Sequence, residues 1–147
     1  MEFWDRHKMI TYYYDALTRS LCERHGLTRM EYEVLLFLVE NPKVKTAAEI
    51  VRLRRATKSH VSLALAALEE KRLIERRTCP ENKKRIEIFL SEDGILIARE
   101  GTALREKLKT ELFAGLTDEE RAIYRHIFEK ICKNAEAHLA AENGREV

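Results

Sequence analysis

The sequence predicts a mainly α protein with one small antiparallel β-hairpin, and three observations carry that reading. Three hydroxyl-x-x-carboxylate boxes, at Thr28, Thr46 and Thr117, open apolar helical segments. Two prolines and five glycines in 147 residues leave little room for a many-stranded or loop-rich fold. The apolar period falls to two only between residues 73 and 90. Hydrophobic residues make up 45%, enough for a core and too many for wholesale disorder, and the length suits one compact domain.

The first helix is predicted over 3–24. Phe3, Ile10, Tyr14, Leu17 and Leu21 lie on one apolar stripe, and Gly26 suits a left-handed C-cap. Thr28-Arg29-Met30-Glu31 opens a second helix, 29–40, which stops at Asn41-Pro42. Its Val34–Val39 run is apolar all round. Periodicity alone would permit a strand there, but the capping box decides for a helix, buried centrally. Thr46-Ala47-Ala48-Glu49 opens a short helix, 47–53, followed by a polar turn at Arg54-Arg55-Ala56. A helix over 57–71 turns Val61, Leu65 and Leu68 inward.

Two strands follow, 73–78 and 85–90, with Ile86, Ile88 and Leu90 on one face. Between them Cys79-Pro80-Glu81-Asn82-Lys83-Lys84 makes a polar turn with a basic tip. Ser91 caps a helix over 92–114. Gly101 inside it costs about 1 kcal/mol relative to alanine, which implies a bend or a close contact. Gly115 ends that helix. The last helix, 118–142, carries Ile123, Ile127 and Ile131 at i+4 spacing, and fraying is expected from Glu142 onward.

Charge is distributed unevenly. Residues 41–91 hold 13 Lys/Arg against 6 Asp/Glu, whereas both flanks are mildly acidic. Such asymmetry marks either a localised polyanion-binding face or a solvated face of chance composition. The cations gather at two places: Arg52, Arg54, Arg55 and Lys58 around the start of the fourth helix, and Arg76, Arg77, Lys83, Lys84 and Arg85 on the hairpin. Thr57, Ser59, His60 and Ser62 add small hydrogen-bonding groups at that helix start. A helix of this length fits the DNA major groove, where its N-terminal residues reach base edges while Lys and Arg neutralise phosphates. A basic hairpin tip suits the adjoining minor groove.

Here the chain resembles the MarR family of winged-helix transcription regulators. The residues that carry the resemblance are Ala48-Glu49-Ile50, Lys58-Ser59-His60-Val61-Ser62, Leu68 to Arg76 leading into the hairpin, Pro80-Glu81-Asn82-Lys83-Lys84 and Leu90-Ser91-Glu92-Asp93-Gly94. The resemblance implies a winged helix-turn-helix lobe at about 28–91, with dimerisation helices at about 1–27 and 92–147, all within a single domain. It implies a homodimer that binds double-stranded DNA at a pseudo-palindromic operator. It further implies repression, in many members relieved by a small lipophilic or phenolic effector. Lys58, Ser59, His60 and Ser62 would face bases or nearby phosphates, with Lys83 and Lys84 at the wing tip. The sequence departs from the family at Asn82, where an acidic residue is usual, and at Lys83 and Lys84, where arginines are usual. Leu63 stands where a polar or basic residue is frequent. Arg72 stands in place of a common glycine and is expected at positive φ.

The stripes Phe3, Ile10, Tyr14 and Leu17, and Ile123, Ile127 and Ile131, serve either an intramolecular core or a dimer interface. Long terminal helices with little else to bury against favour the dimer. Cys22-x-x-His25 offers two metal ligands with no third, so a buried thiol beside a helix-end histidine is the better reading and no metal or cofactor is expected. Cys79, near the hairpin tip and close to Arg76 and Arg77, is expected to be exposed, where nearby cations favour the reactive thiolate. A winged-helix protein-interaction module without DNA binding is the alternative function. No phosphate loop, nucleophile elbow or HExxH motif points to an enzyme. The N-terminus lacks the pattern of a secretory signal and no apolar run nears the roughly 20 residues of a membrane span, so a cytoplasmic protein is expected.

Overall fold

The computed structural model describes residues 2–145. Its elements run α1 (Phe3–His25), α2 (Arg29–Glu40), α3 (Ala47–Arg54), α4 (Lys58–Glu70), β1 (Ile74–Cys79), β2 (Asn82–Leu90), α5 (Glu92–Leu112) and α6 (Asp118–Arg145). The chain divides into two compact units, residues 1–108 and 109–147. No helix among the described residues is long and apolar enough to cross a membrane.

Two of the three boxes close reciprocally. Thr46 Oγ1 accepts from the Glu49 amide while Glu49 accepts from the amides of Lys45 and Thr46, at 2.7 and 3.0 Å. Thr117 and Glu120 pair likewise. The Thr28 box is half made. Thr28 Oγ1 accepts from the Glu31 amide, but the Glu31 carboxylate turns to the Lys71 ammonium at the end of α4. The reason is burial: Glu31 is only 4% exposed, and a carboxylate taken out of water requires a cation. Lys71 also donates to the Gly26 carbonyl at 2.8 Å, tying the α1–α2 corner to the end of α4.

The core of the first unit is built around α2, as the apolar run predicts. Tyr32, Val34, Leu35 and Leu36 are fully buried and pack with Ile50 of α3 and with Val61, Leu65 and Leu68 of α4. Leu73, Ile74 and Ile88 close the core from the hairpin, and Ile97 and Ala98 from α5. Gly101 makes a close contact. A β-carbon there would lie 2.8 Å from the Tyr32 ring, so only glycine lets α5 approach α2.

The hairpin is longer than its hydrophobic pattern indicates. β2 begins at Asn82, the turn is reduced to Pro80-Glu81, and a register irregularity falls between Thr78 and Cys79. Ile74, Arg76 and Thr78 oppose Leu90, Ile88 and Ile86. This face is apolar only at its base. Ile88 is buried, whereas Ile86 is 51% exposed because the strand has run past the core. Ser91 locks the base by donating to the Leu73 carbonyl at 3.0 Å and accepting from the Gly94 amide at 3.0 Å.

In the second unit, Phe113 meets Tyr124 edge-on and Tyr124 stacks on Phe128, with centroids 5.2 and 5.7 Å apart. α6 continues helical to Arg145, beyond the fraying expected from Glu142; Glu146 and Val147 lie outside the described residues.

Candidate nucleic-acid interface

The turn between α3 and α4 is set by backbone conformation. Arg55 takes a left-handed φ of 52°, which a non-glycine residue holds at a cost of about 1 kcal/mol. Thr57 then caps α4, its Oγ1 accepting from the His60 amide at 3.4 Å. Thr57 thus spends its hydroxyl on the helix start. Arg72, at φ 60°, makes the second left-handed turn, between α4 and β1, as expected where the resembled family commonly has glycine.

The cations marked in the sequence fall into two groups. Arg55, Lys58, Lys83 and Lys84 are exposed and form no ion pair among the described residues. Arg54, Arg77 and Arg85 are engaged. Arg54 turns inward, its Nη1 donating to the Glu33 carbonyl at 2.9 Å and lying 3.5 Å from that residue's carboxylate. Arg77 makes a two-bond pair with Glu75, at 2.9 and 2.8 Å, and lies over the Phe89 ring. Arg85 pairs with Glu87 at 3.1 Å. Arg76 is similarly held by Glu69, whose carboxyl is drawn below the usual range by that hydrogen bond.

The signal for the two strand pairs was present in the sequence. Glu75 and Arg77, and Arg85 and Glu87, are separated by two residues and therefore share a face of the hairpin. Both pairs lie at the surface, where such bonds add little stability. The wing tip is ordered by Asn82, whose side-chain oxygen accepts from the Lys84 amide at 3.1 Å. Asn82 performs this turn role without the charge that an acidic residue would bring beside Lys83 and Lys84.

The exposed face of α4 carries Lys58, Ser59, His60, Ser62, Leu63 and Ala66. On the flank of α4 a cleft of about 1140 Å³ opens against α1 and α2, lined among others by Thr18, Cys22, Leu27, Met30, His60 and Leu63. Cys22 is buried there, and burial pushes its thiol pKa up. Cys79, the last residue of β1, is half-buried rather than freely exposed. His25 contacts Glu100 at 3.0 Å, and no group of three potential metal ligands comes together among the described residues.

The stripe residues separate as well. Phe3, Ile10, Ile123, Ile127 and Ile131 are 45–59% exposed. Leu17 is half-buried. Tyr14 is also half-buried and turns into a polar cluster of the first unit, donating to Glu33 at 3.0 Å and accepting from Arg105 at 3.1 Å.

Comparison with known proteins decides which fold this is. The profile of the MarR family matches residues 25–85, the segment from the end of α1 to the wing. The chain is 29% identical over 114 residues to the HTH-type transcriptional repressor MdtR of Bacillus subtilis (strain 168), spanning 78% of this chain and 73% of that one. The crystal structure of the transcriptional regulator SlyA superimposes with a TM-score of 0.78 at 22% identity, over 92% of this chain and 94% of that one. An S. aureus MepR–DNA complex superimposes with a TM-score of 0.77 at 21% identity, over 91% and 96%.

The chain has the winged-helix fold of these regulators, and its segment 25–85 is similar to the MarR family. In the MarR-family frame α3 and α4 are the helix-turn-helix and β1 and β2 the wing, so the unpaired cations lie at the N-terminus of the recognition helix and at the wing tip.

Proposed function

We propose that this chain is a homodimeric, sequence-specific repressor that binds double-stranded DNA at a pseudo-palindromic operator and is released by a small effector. The observation that carries the reading is the placement of free charge. Arg55 and Lys58 stand at the start of the recognition helix and Lys83 and Lys84 at the wing tip, while Ser59, His60 and Ser62 offer exposed hydrogen-bonding groups. Cations that flank an exposed helix face suit phosphates that flank a groove. The related MepR has been solved on DNA, in a fold this chain shares.

Residues 28–91 are the DNA-binding lobe, and residues 1–27 and 92–147 supply the dimer interface. Phe3 and Ile10 on α1 and Ile123, Ile127 and Ile131 on α6 present more apolar surface than a lone copy keeps in water. A two-fold pair also reads two half-sites, which gives a small lobe its specificity. The cleft beside α4 has the size and mixed lining to take a small lipophilic or phenolic effector. A cytoplasmic location fits this reading, since the described helices include none able to span a membrane.

Gel-shift titration with the DNA upstream of the protein's own gene tests the reading. A retarded complex at low salt, weakened steeply as salt rises, supports it; no shift at low salt refutes it.

A further inference from the structure

We infer that Leu63 is a specificity-determining residue that reads thymine by its C5-methyl group; the inference rests on the DNA-binding reading above. α4 runs Lys-Ser-His-Val-Ser-Leu-Ala-Leu-Ala-Ala-Leu-Glu-Glu and contains no Arg, Asn or Gln. Those are the side chains that grip guanine or adenine by paired hydrogen bonds. Lys58 at its first position can grip guanine in the same way, but beyond it the helix discriminates bases by single hydrogen bonds or by apolar contact.

The helix supplies the apolar contact in one place. Val61, Ala64, Leu65 and Leu68 face the core. At 3.6 residues per turn, the direction opposite them is occupied by Ser59, Leu63 and Ala66, spaced i, i+4 and i+7. Leu63 is 70% exposed, while the neighbouring α4 leucines 65 and 68 are essentially inaccessible. It makes no contribution to the core that would explain a leucine there. It borders the cleft beside α4 and stands on the exposed face with Ser59 and Ser62, with Lys58 at the helix start and Arg55 just before it.

An apolar side chain among cations fits one occupant better than another protein's apolar surface. The DNA major groove offers exactly one apolar feature on its floor, the thymine methyl, between two rims of phosphate. Ala66, one turn further along the same stripe, provides a second, smaller contact. Ser59 and Ser62 then discriminate neighbouring pairs by hydrogen bonding.

The test removes only the methyl group. Bound DNA is selected from a random duplex pool with the full-length protein, and each thymine of the selected half-site is replaced in turn by deoxyuridine. Affinities are read by fluorescence anisotropy for the wild type and for Leu63→Ala, whose melting temperature should be unchanged because the side chain is exposed. At one thymine per half-site, uracil should weaken the wild type about fourfold, the factor for losing one buried methyl. Leu63→Ala should bind thymine and uracil there equally, with its salt dependence unaltered. A wild type indifferent to every uracil, or a Leu63→Ala variant as sensitive as the wild type, overturns the assignment while the DNA-binding reading stands. Failure to retain any DNA at low salt overturns both.

Discussion

Glu33 on α2 and Arg105 on α5 meet at 3.0 Å, 72 residues apart in sequence. Glu33 is only 9% exposed, and its two oxygens also receive Arg29 at 2.9 Å, the Tyr14 hydroxyl at 3.0 Å and, more distantly, Arg54. One carboxylate therefore joins α1, α2, α3 and α5. Burial opposes the charge on Arg29 and Arg105, yet their hydrogen-bonded partners more than offset it and both guanidinium pKa values rise. Removing Glu33 would leave a cluster of arginines with no central anion. Glu33→Ala should lower stability by about 2–3 kcal/mol, below the usual range for a fully buried pair because the arginines reach solvent. Urea denaturation measures this, and a change under about 0.5 kcal/mol, the scale of an ordinary surface substitution, would contradict the hub role.

Gly101 and Tyr32 form the second long-range fit. The Tyr32 hydroxyl is buried without a hydrogen-bond partner among the described residues, and burial pushes its pKa well up. Tyr32→Phe should therefore be neutral or stabilising, by up to about 1 kcal/mol. Gly101→Ala should destabilise by about 1–3 kcal/mol in spite of alanine's better helix propensity, because its β-carbon meets the ring. Thermal denaturation of both variants checks the pair, and a stabilised Gly101→Ala would show that α5 does not approach α2 as described.

Helix starts were legible because a capping box is local: Thr46 with Glu49 and Thr117 with Glu120 are each read from four consecutive residues. The left-handed turn at Arg72 was legible only through the resemblance, which has a common glycine at that position. The Glu33 cluster was not, since nothing in the sequence links Glu33 to Arg105 or Tyr14 to either. For the same reason the inward turn of Arg54 escaped a reading based on charge density. Glu31 looked like a capping residue and became a buried partner of Lys71, because box chemistry says nothing about burial. In the candidate interface, density alone overcounted the free cations, although the Glu75–Arg77 and Arg85–Glu87 spacings already carried the correction.

The Thr46 box carries a pH signature. Glu49 accepts from the Lys45 and Thr46 amides, which hold its carboxyl below the usual range. A depressed folded-state pKa adds stability above the unfolded value, near ~4.3, and that stability is lost as pH falls through the folded value. Glu49→Ala should cost about 1 kcal/mol at pH 7, a typical capping contribution. The gap from wild type should narrow progressively below about pH 4, as the carboxylate protonates. A gap that stays constant down to pH 3 would contradict the assignment.

The exposed isoleucines of α6 predict an association equilibrium. Ile127→Glu together with Ile131→Glu should convert a dimer to a monomer, because the two charges would be buried unpaired at the interface. Sedimentation velocity of both proteins reads this directly. A wild type that sediments as a monomer, or a variant that remains dimeric, would remove α6 from the interface.

The salt dependence of DNA binding tests the central claim most directly, with Lys83→Ala/Lys84→Ala and Arg77→Ala compared against wild type on the protein's own upstream DNA. Each lysine that meets a phosphate contributes about one to the slope of log affinity against log salt, so a dimer lacking both should lose about four. Arg77, already paired with Glu75, should matter less. Tight binding at low salt, a steep slope for wild type and a slope flattened by the lysine substitutions is the predicted result. Absence of binding at low salt, or a slope the lysine substitutions leave unchanged, would contradict it.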